Sequence, residues 1–279
     1  MSTDYRVTRV ISNNAVFVQS TAHPDQEEIL VGRGVGFGVK AGEMLKDASQ
    51  ARSFIPKGKE KSQLLKALER IDDDLFAAVT AGLEKAMDYL GALDPSAYLL
   101  LAEHISFAVQ RVRRGEIIHN PLLEEIHAAF TEEFDAALMV LAEVNDSLGV
   151  HLPVEEAAYI ALHLNAARTG STVKAPLATA NALAGDMAIV RNALGIAPSI
   201  SQHSISAQRL ASALIELRTH IAAGRRRSNA MARSVERELP REFGAASEVI
   251  CSVVETPSLP HSLRGEAAFF AMFLHGWKQ

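Results

Sequence analysis

The 279-residue chain is poor in the residues that staple or stack. It has one cysteine and one tryptophan, and aromatic residues make up only 6% of it. With Cys251 alone no internal disulfide can form, and its apolar surroundings (Glu-Val-Ile-Cys-Ser-Val-Val) mark it as core filler rather than a nucleophile. No apolar run is long enough to cross a bilayer, and the first ten residues lack the apolar core of a signal peptide. A cytoplasmic protein without membrane insertion is therefore expected. Neither sign of charge dominates. The 28 Lys and Arg against 33 Asp and Glu leave a net charge of −5, and 48% apolar residues exclude a disordered chain. There is no Walker loop, no HExxH and no paired CxxC, so no metal, cofactor or catalytic group is expected.

What is present falls into three segments. Residues 1–56 read as short strands. Tyr5 to Ile11 alternates apolar and polar residues, Ala15 to Gln19 forms a second strand and Glu28 to Val31 a third. Asn13-Asn14 and Ala22-His23-Pro24-Asp25 are the turns between them. Gly32, Gly34, Gly36 and Gly38 then punctuate the chain, which suggests positive φ or a close backbone approach. No helical pattern opens behind these glycines, so they are not a dinucleotide fingerprint. So small a sheet buries little, and dimerisation would help it. Its cations (Arg6, Arg9, Arg33, Lys40, Lys46 and Arg52) are balanced by six acidic residues, so nucleic-acid binding requires the charges to be sorted onto separate faces. Asn13, Asn14 and Phe37 are side chains that read and stack on exposed bases, but a plain hairpin turn explains Asn13-Asn14 equally well. Residues 57–66 carry four lysines against one glutamate and read as a polar linker running into a helix.

From about residue 67 the apolar residues recur at helical spacing, with Leu101, Ile105, Ala108 and Val112 on one stripe. Asp94-Pro95-Ser96 looks like a helix start, and Asn120-Pro121, Leu152-Pro153 and Leu239-Pro240 are breaks. This region repeats itself. Glu133-Phe134 returns as Glu242-Phe243, and Glu156-Ala157-Ala158-Tyr159 as Glu266-Ala267-Ala268-Phe269. Two all-helical domains follow, at 67–170 and 175–279, meeting near the small polar run Thr169 to Thr172. The copies differ at two histidines: His104 and His163 of the first align with Ala213 and Phe273 of the second.

A lone histidine in an apolar stripe is usually a core residue with a hydrogen-bond partner. Two at matched points of one domain, both absent from its repeat, point towards chemistry. A ring nitrogen can accept a phosphoryl group, which adds about two negative charges. Arg111 lies two turns beyond His104, on nearly the same face, and could receive that charge. Glu103 and His104 are adjacent on a helix and point about 100° apart, which makes them a poor acid–base pair for a phosphohydrolase. A non-enzymatic protein is expected.

The residues VTRVISNNAVFV and LVGRGVGFGVKAGE resemble the RNA-binding co-antiterminator (CAT) domain of the BglG/SacY family of transcriptional antiterminators. EHISFAVQRVRRGEIIHNPLLEEI and LPVEEAAYIALHLNAA resemble that family's regulation domain, PRD, which the sugar phosphotransferase system (PTS) phosphorylates. The resemblance implies a multidomain protein, with a small antiparallel β-sheet RNA-binding domain followed by two all-α helical-bundle PRD domains. The sheet would be four-stranded and form a homodimer that grips a hairpin in a nascent mRNA leader, so that a terminator cannot fold. RNA contacts carried over by position are Arg9, Ser12, Asn13, Asn14, Gly32, Arg33 and Phe37, with Ser12 standing where asparagine is usual. His104 and His163 match the phosphorylation sites, Glu103 stands where aspartate is usual, and the second PRD is degenerate. The implied phosphate donor is a PTS phosphocarrier or a sugar permease EIIB. An alternative keeps the PRDs as sensors and has the sheet bind DNA or protein.

Overall fold

The computed structural model describes residues 4–13, 15–21, 23–32, 34–45, 48, 51–54, 71–196 and 205–277. The predicted linker at 57–66 lies outside them.

Four strands, β1 (Tyr5–Ser12), β2 (Ala15–Ser20), β3 (His23–Val31) and β4 (Arg52–Phe54), form one antiparallel sheet in the order β1-β2-β3-β4. β1 and β2 are joined at residues 13 and 14, where the hairpin was expected. The expected turn at 22–25 is tighter than its composition suggested. Ser20 already pairs with His23, so Pro24 lies inside β3. That position tolerates proline because β4 pairs only with Ile29, Leu30 and Val31 and asks no donor of Pro24. β4 itself was not among the strands read from periodicity, since three residues of mixed character carry no pattern. Val7, Val16, Val18, Leu30 and Val35 make the sheet's core, while Ala15, Phe17 and Ile29 are buried as well.

The rest is helical: α1 (Asp73–Leu90), α2 (Ser96–Arg113), α3 (Leu123–Ala129), α4 (Thr131–Leu148), α5 (Val154–Thr169), α6 (Lys174–Leu194), α7 (Ile205–Ala222), α8 (Ala232–Glu238), α9 (Pro240–Val254) and α10 (Arg264–Trp277). Asp94 caps the start of α2 by accepting from the Ser96 amide at 2.9 Å. Asn145 bonds both backbone groups of Leu152, accepting at 2.8 Å and donating at 3.2 Å, and so fixes where α5 begins. α1 passes close over α4, because a Cβ on Gly82 would stand 3.0 Å from the Cα of Val140.

The chain forms two compact units. The first holds the sheet with α1, α2, α4 and α5. The second holds α6 to α10 together with α3, contributed by residues 122–131. Within the second unit α3 packs on α7, with Ala128 and Ala129 against its core.

Candidate functional site

α2 and α5 of the first unit lie against one another, and that packing brings the two histidines together. On α5, Glu156, Tyr159 and His163 share a face, three and four residues apart. His104 of α2 faces them. Its Nε2 lies 2.7 Å from Oε2 of Glu156, a carboxylate only 1% exposed, while the His104 side chain stays 24% exposed. The imidazoles of His104 and His163 are 5.3 Å apart, centroid to centroid, and the Tyr159 ring is 5.7 Å from His104.

The two rings live in different surroundings. Burial, and then the charge of His104, push His163 down to a pKa of about 4. It is neutral at pH 7, with a lone pair available. Its Nδ1 is sealed from solvent with no hydrogen-bond partner. Arg111, two turns beyond His104 on α2, is paired with a carboxylate. Its Nε lies 3.4 Å from Oε2 of Glu116, and it is partly buried. Glu103 points to solvent.

Glu156 escaped the reading for chemistry, although it anchored the repeat. A glutamate held in both copies of an otherwise small, apolar motif was the available signal. In the second unit its counterpart Glu266 is fully buried and bonded to an arginine, with His220 acting on it only through its charge. The Arg227 amide donates to Oε1 of Glu266 at 2.8 Å, and the guanidinium Nε and Nη2 donate to Oε2 at 2.9 and 2.7 Å. Burial alone would raise this carboxyl; the bonds from Arg227 outweigh it and hold Glu266 below its ordinary range. The guanidinium also stands 4.9 Å above the Phe269 ring, where the first copy has Tyr159. Ala213 and Phe273 pack against the core, with Phe273 stacked on Phe270 at 5.9 Å.

The candidate RNA residues gather at one end of the sheet. A register shift between Val7 and Arg9 puts a bulge at Thr8, and Arg9 emerges exposed. Ser12 ends β1 and Asn13 is an exposed turn residue. The Gly36 amide donates to the Asn13 carbonyl at 2.9 Å, tying the glycine loop to the hairpin. Gly34 and Gly38 adopt φ of 70° and 69°, the left-handed conformation expected of them, and Gly32 is buried. Phe37 is 74% exposed, which is unusual for a phenylalanine without a stacking partner. Asn14 and Arg33 lie outside the described residues. Asn13, Gly34 and Phe37 share a cleft of about 880 Å³ with Asp74, Glu84 and Asp88 of α1 and Glu143 of α4. Among the described residues no group of His, Cys, Asp and Glu could hold a metal, and no helix is long and apolar enough to cross a membrane.

Comparison with known proteins gives both elements a name. The CAT RNA-binding domain family matches residues 5–63 and the PRD domain family residues 84–167. Protein GlcT of Staphylococcus aureus (strain bovine RF122 / ET3-1) is 30% identical over 165 residues, 58% of this chain and 57% of the relative; GlcT of strain JH9 matches over the same span. The chain therefore spans somewhat over half the length of these relatives. A crystal structure of GlcT CAT-PRDI superposes with a TM-score of 0.54 at 28% identity, covering 60% of this chain and 99% of that one.

Proposed function

We infer that this chain, which joins a CAT RNA-binding domain to a PRD domain in the order of the BglG/SacY antiterminator family, is a sugar-responsive transcriptional antiterminator switched by phosphate on His104 or His163. Its organisation is a sheet domain at 1–56, a responsive PRD at 67–170 and a degenerate PRD at 175–279. The partners are a hairpin in the mRNA leader, a second copy of the chain, and a PTS phosphocarrier or EIIB as phosphate donor. The observation that carries this reading is the pair of imidazoles 5.3 Å apart, one of them bonded to a buried carboxylate.

The chemistry follows from the two environments. The neutral Nε2 of His163 attacks the donor's phosphorus, the donor's P–N or P–S bond breaks with its electron pair leaving on the donor's nitrogen or sulfur, and the sealed Nδ1 keeps its proton. The phosphoryl group brings about two negative charges to within reach of Glu156, which is already ionisable, buried and committed to His104. Repulsion then opposes the α2–α5 packing. The sheet tip shares a cleft with α1 of the same unit, so a change in that packing reaches the RNA-reading loop. Removing the phosphate restores the packing and RNA binding.

The test has two arms. Full-length protein is incubated with radiolabelled phosphoenolpyruvate, enzyme I, HPr and an EIIB domain; label should reach the wild type and be lost from the His104→Ala/His163→Ala double variant. RNA hairpin binding should fall in His104→Asp or His163→Asp, with duplex DNA unbound throughout. Label persisting in the double variant, or undiminished RNA binding by both aspartate variants, overturns the switch.

A further inference from the structure

The Glu266 site of the second unit has a use other than responding to phosphate. Arg227 is held to Glu266 by its own amide and by two guanidinium bonds. The loop also sits directly on α10. A Cβ at Gly265 would stand 1.9 Å from the Arg227 carbonyl oxygen, so only glycine admits the loop there. On its two sides the Arg225 amide donates to the His220 carbonyl at 3.0 Å, and the Met231 amide to Oδ1 of Asn229 at 2.9 Å. A buried carboxylate thus anchors a loop at its middle while its flanks are tied down.

What the loop presents is positive. Residues 225–241 hold six arginines and two glutamates. The aligned residues 116–132 of the first copy hold four glutamates and no lysine or arginine, so basicity is no requirement of the fold. Arg227 is spent on Glu266, Arg237 on Glu238, and Glu236 on Arg264. Arg225, Arg226, Arg233 and Arg241 remain exposed and make no ion pair among the described residues. In a chain of net charge −5, exposed arginines with no ion pair, on and beyond a pinned loop, offer concentrated positive charge to an outside anion.

We propose that this arginine surface binds the phosphodiester backbone of RNA, as a second, sequence-independent hold in addition to the base-reading sheet. The inference rests on the proposed function in taking RNA as the ligand. Guanidinium forks match phosphate oxygens, and backbone binding needs charge without an apolar centre. A protein partner would want aromatic anchors at its core. Met231 is the single large apolar side chain exposed among the described residues of 225–241.

The experiment uses the full chain with a labelled stem–loop from the leader beside its gene and an unstructured oligouridine of equal length, titrated at several salt concentrations. In Arg225→Ala/Arg226→Ala/Arg233→Ala the slope of log affinity against log salt should become shallower by about two to three, and affinity near 0.15 M salt should fall about tenfold for both RNAs. Arg9→Ala should weaken only the stem–loop. The three arginines are exposed, so the fold survives, as a melting curve will verify. A slope unchanged by the triple variant overturns the arginine surface while leaving the antiterminator intact; it would then be left to an acidic protein surface or to no partner. A wild type that binds both RNAs equally, with the slope still lost in the triple variant, sinks base reading by the sheet and spares the arginine surface.

Discussion

The two helical units bury a glutamate at the same point of the same motif and neutralise it differently. In the first, Glu156 meets a histidine whose charge is conditional, and a second imidazole waits beside it. In the second, Glu266 meets an arginine whose charge is permanent and which is bonded three times over. A carboxylate paired with imidazole can be disturbed by a proton or a phosphoryl group. One paired with guanidinium cannot, because guanidinium does not titrate at accessible pH. The difference is between a site that can change state and a site that holds a loop.

Breaking each pair should show which is structural. Arg227→Ala removes both guanidinium bonds to the buried Glu266 and leaves it only the residue-227 amide, and removing one partner of a buried pair costs at most roughly 3–5 kcal/mol. Trp277, the one tryptophan, packs against the second unit's core, so its fluorescence reports that unit's denaturation. The midpoint should drop sharply in Arg227→Ala. Glu156→Gln in the first unit keeps a hydrogen bond to His104 and should cost about 1 kcal/mol. Equal losses from both substitutions would erase the contrast.

Acid should separate the units in the opposite sense. His163 is depressed to about 4 from 6.5, so between those values the unfolded chain binds more protons than the folded one. The first unit's stability is therefore full above pH 6.5 and is lost as pH falls towards 4, by roughly 3 kcal/mol. In the second unit burial, opposed by Arg218 at 2.8 Å, raises Asp186 to about 6 from 3.8. There the folded chain binds more protons, and the stabilisation present below pH 3.8 is lost as pH rises through 6. Hydrogen exchange at pH 7 and pH 4.5 should show α5 losing protection on acidification while α6 does not. His163→Phe, which copies the second unit's residue, should flatten the response of α5.

How much of this contrast was visible in the chain depends on how local each feature is. Three strands, the hairpin at Asn13 and the helix breaks at prolines came from short-range patterns, and those hold. The repeat singled out His104 and His163, since both are lost at once, but that their rings meet came only from the packing of α2 on α5. Their partner did not follow. Glu156 reads as a motif residue, and only the packing of α2 on α5 shows that it bonds His104. Arg227 was harder, because nothing in a run of three arginines tells which one turns inwards. Its selection depends on Gly265, 38 residues on, leaving room for the loop. The grouping of α3 with the second unit is a tertiary choice of the same kind.

The smallest expected effect concerns charge near the sheet tip, and it too divides the units. Asn13 and Phe37 share a cleft with Glu84 and Asp88 of α1, so an RNA approaching the tip meets like charge from the first unit. Removing it should help binding without any change in phosphorylation. Glu84→Lys or Asp88→Lys should tighten the stem–loop by about two- to threefold at low salt, the gain fading above roughly 0.1 M, where the screening length falls below about 10 Å. Glu248→Lys changes the net charge equally from an exposed position on α9 and serves as the control. If all three substitutions tighten binding alike, the gain comes from net charge rather than from the cleft, and α1 loses its claim to sit close enough to the reading loop to govern it.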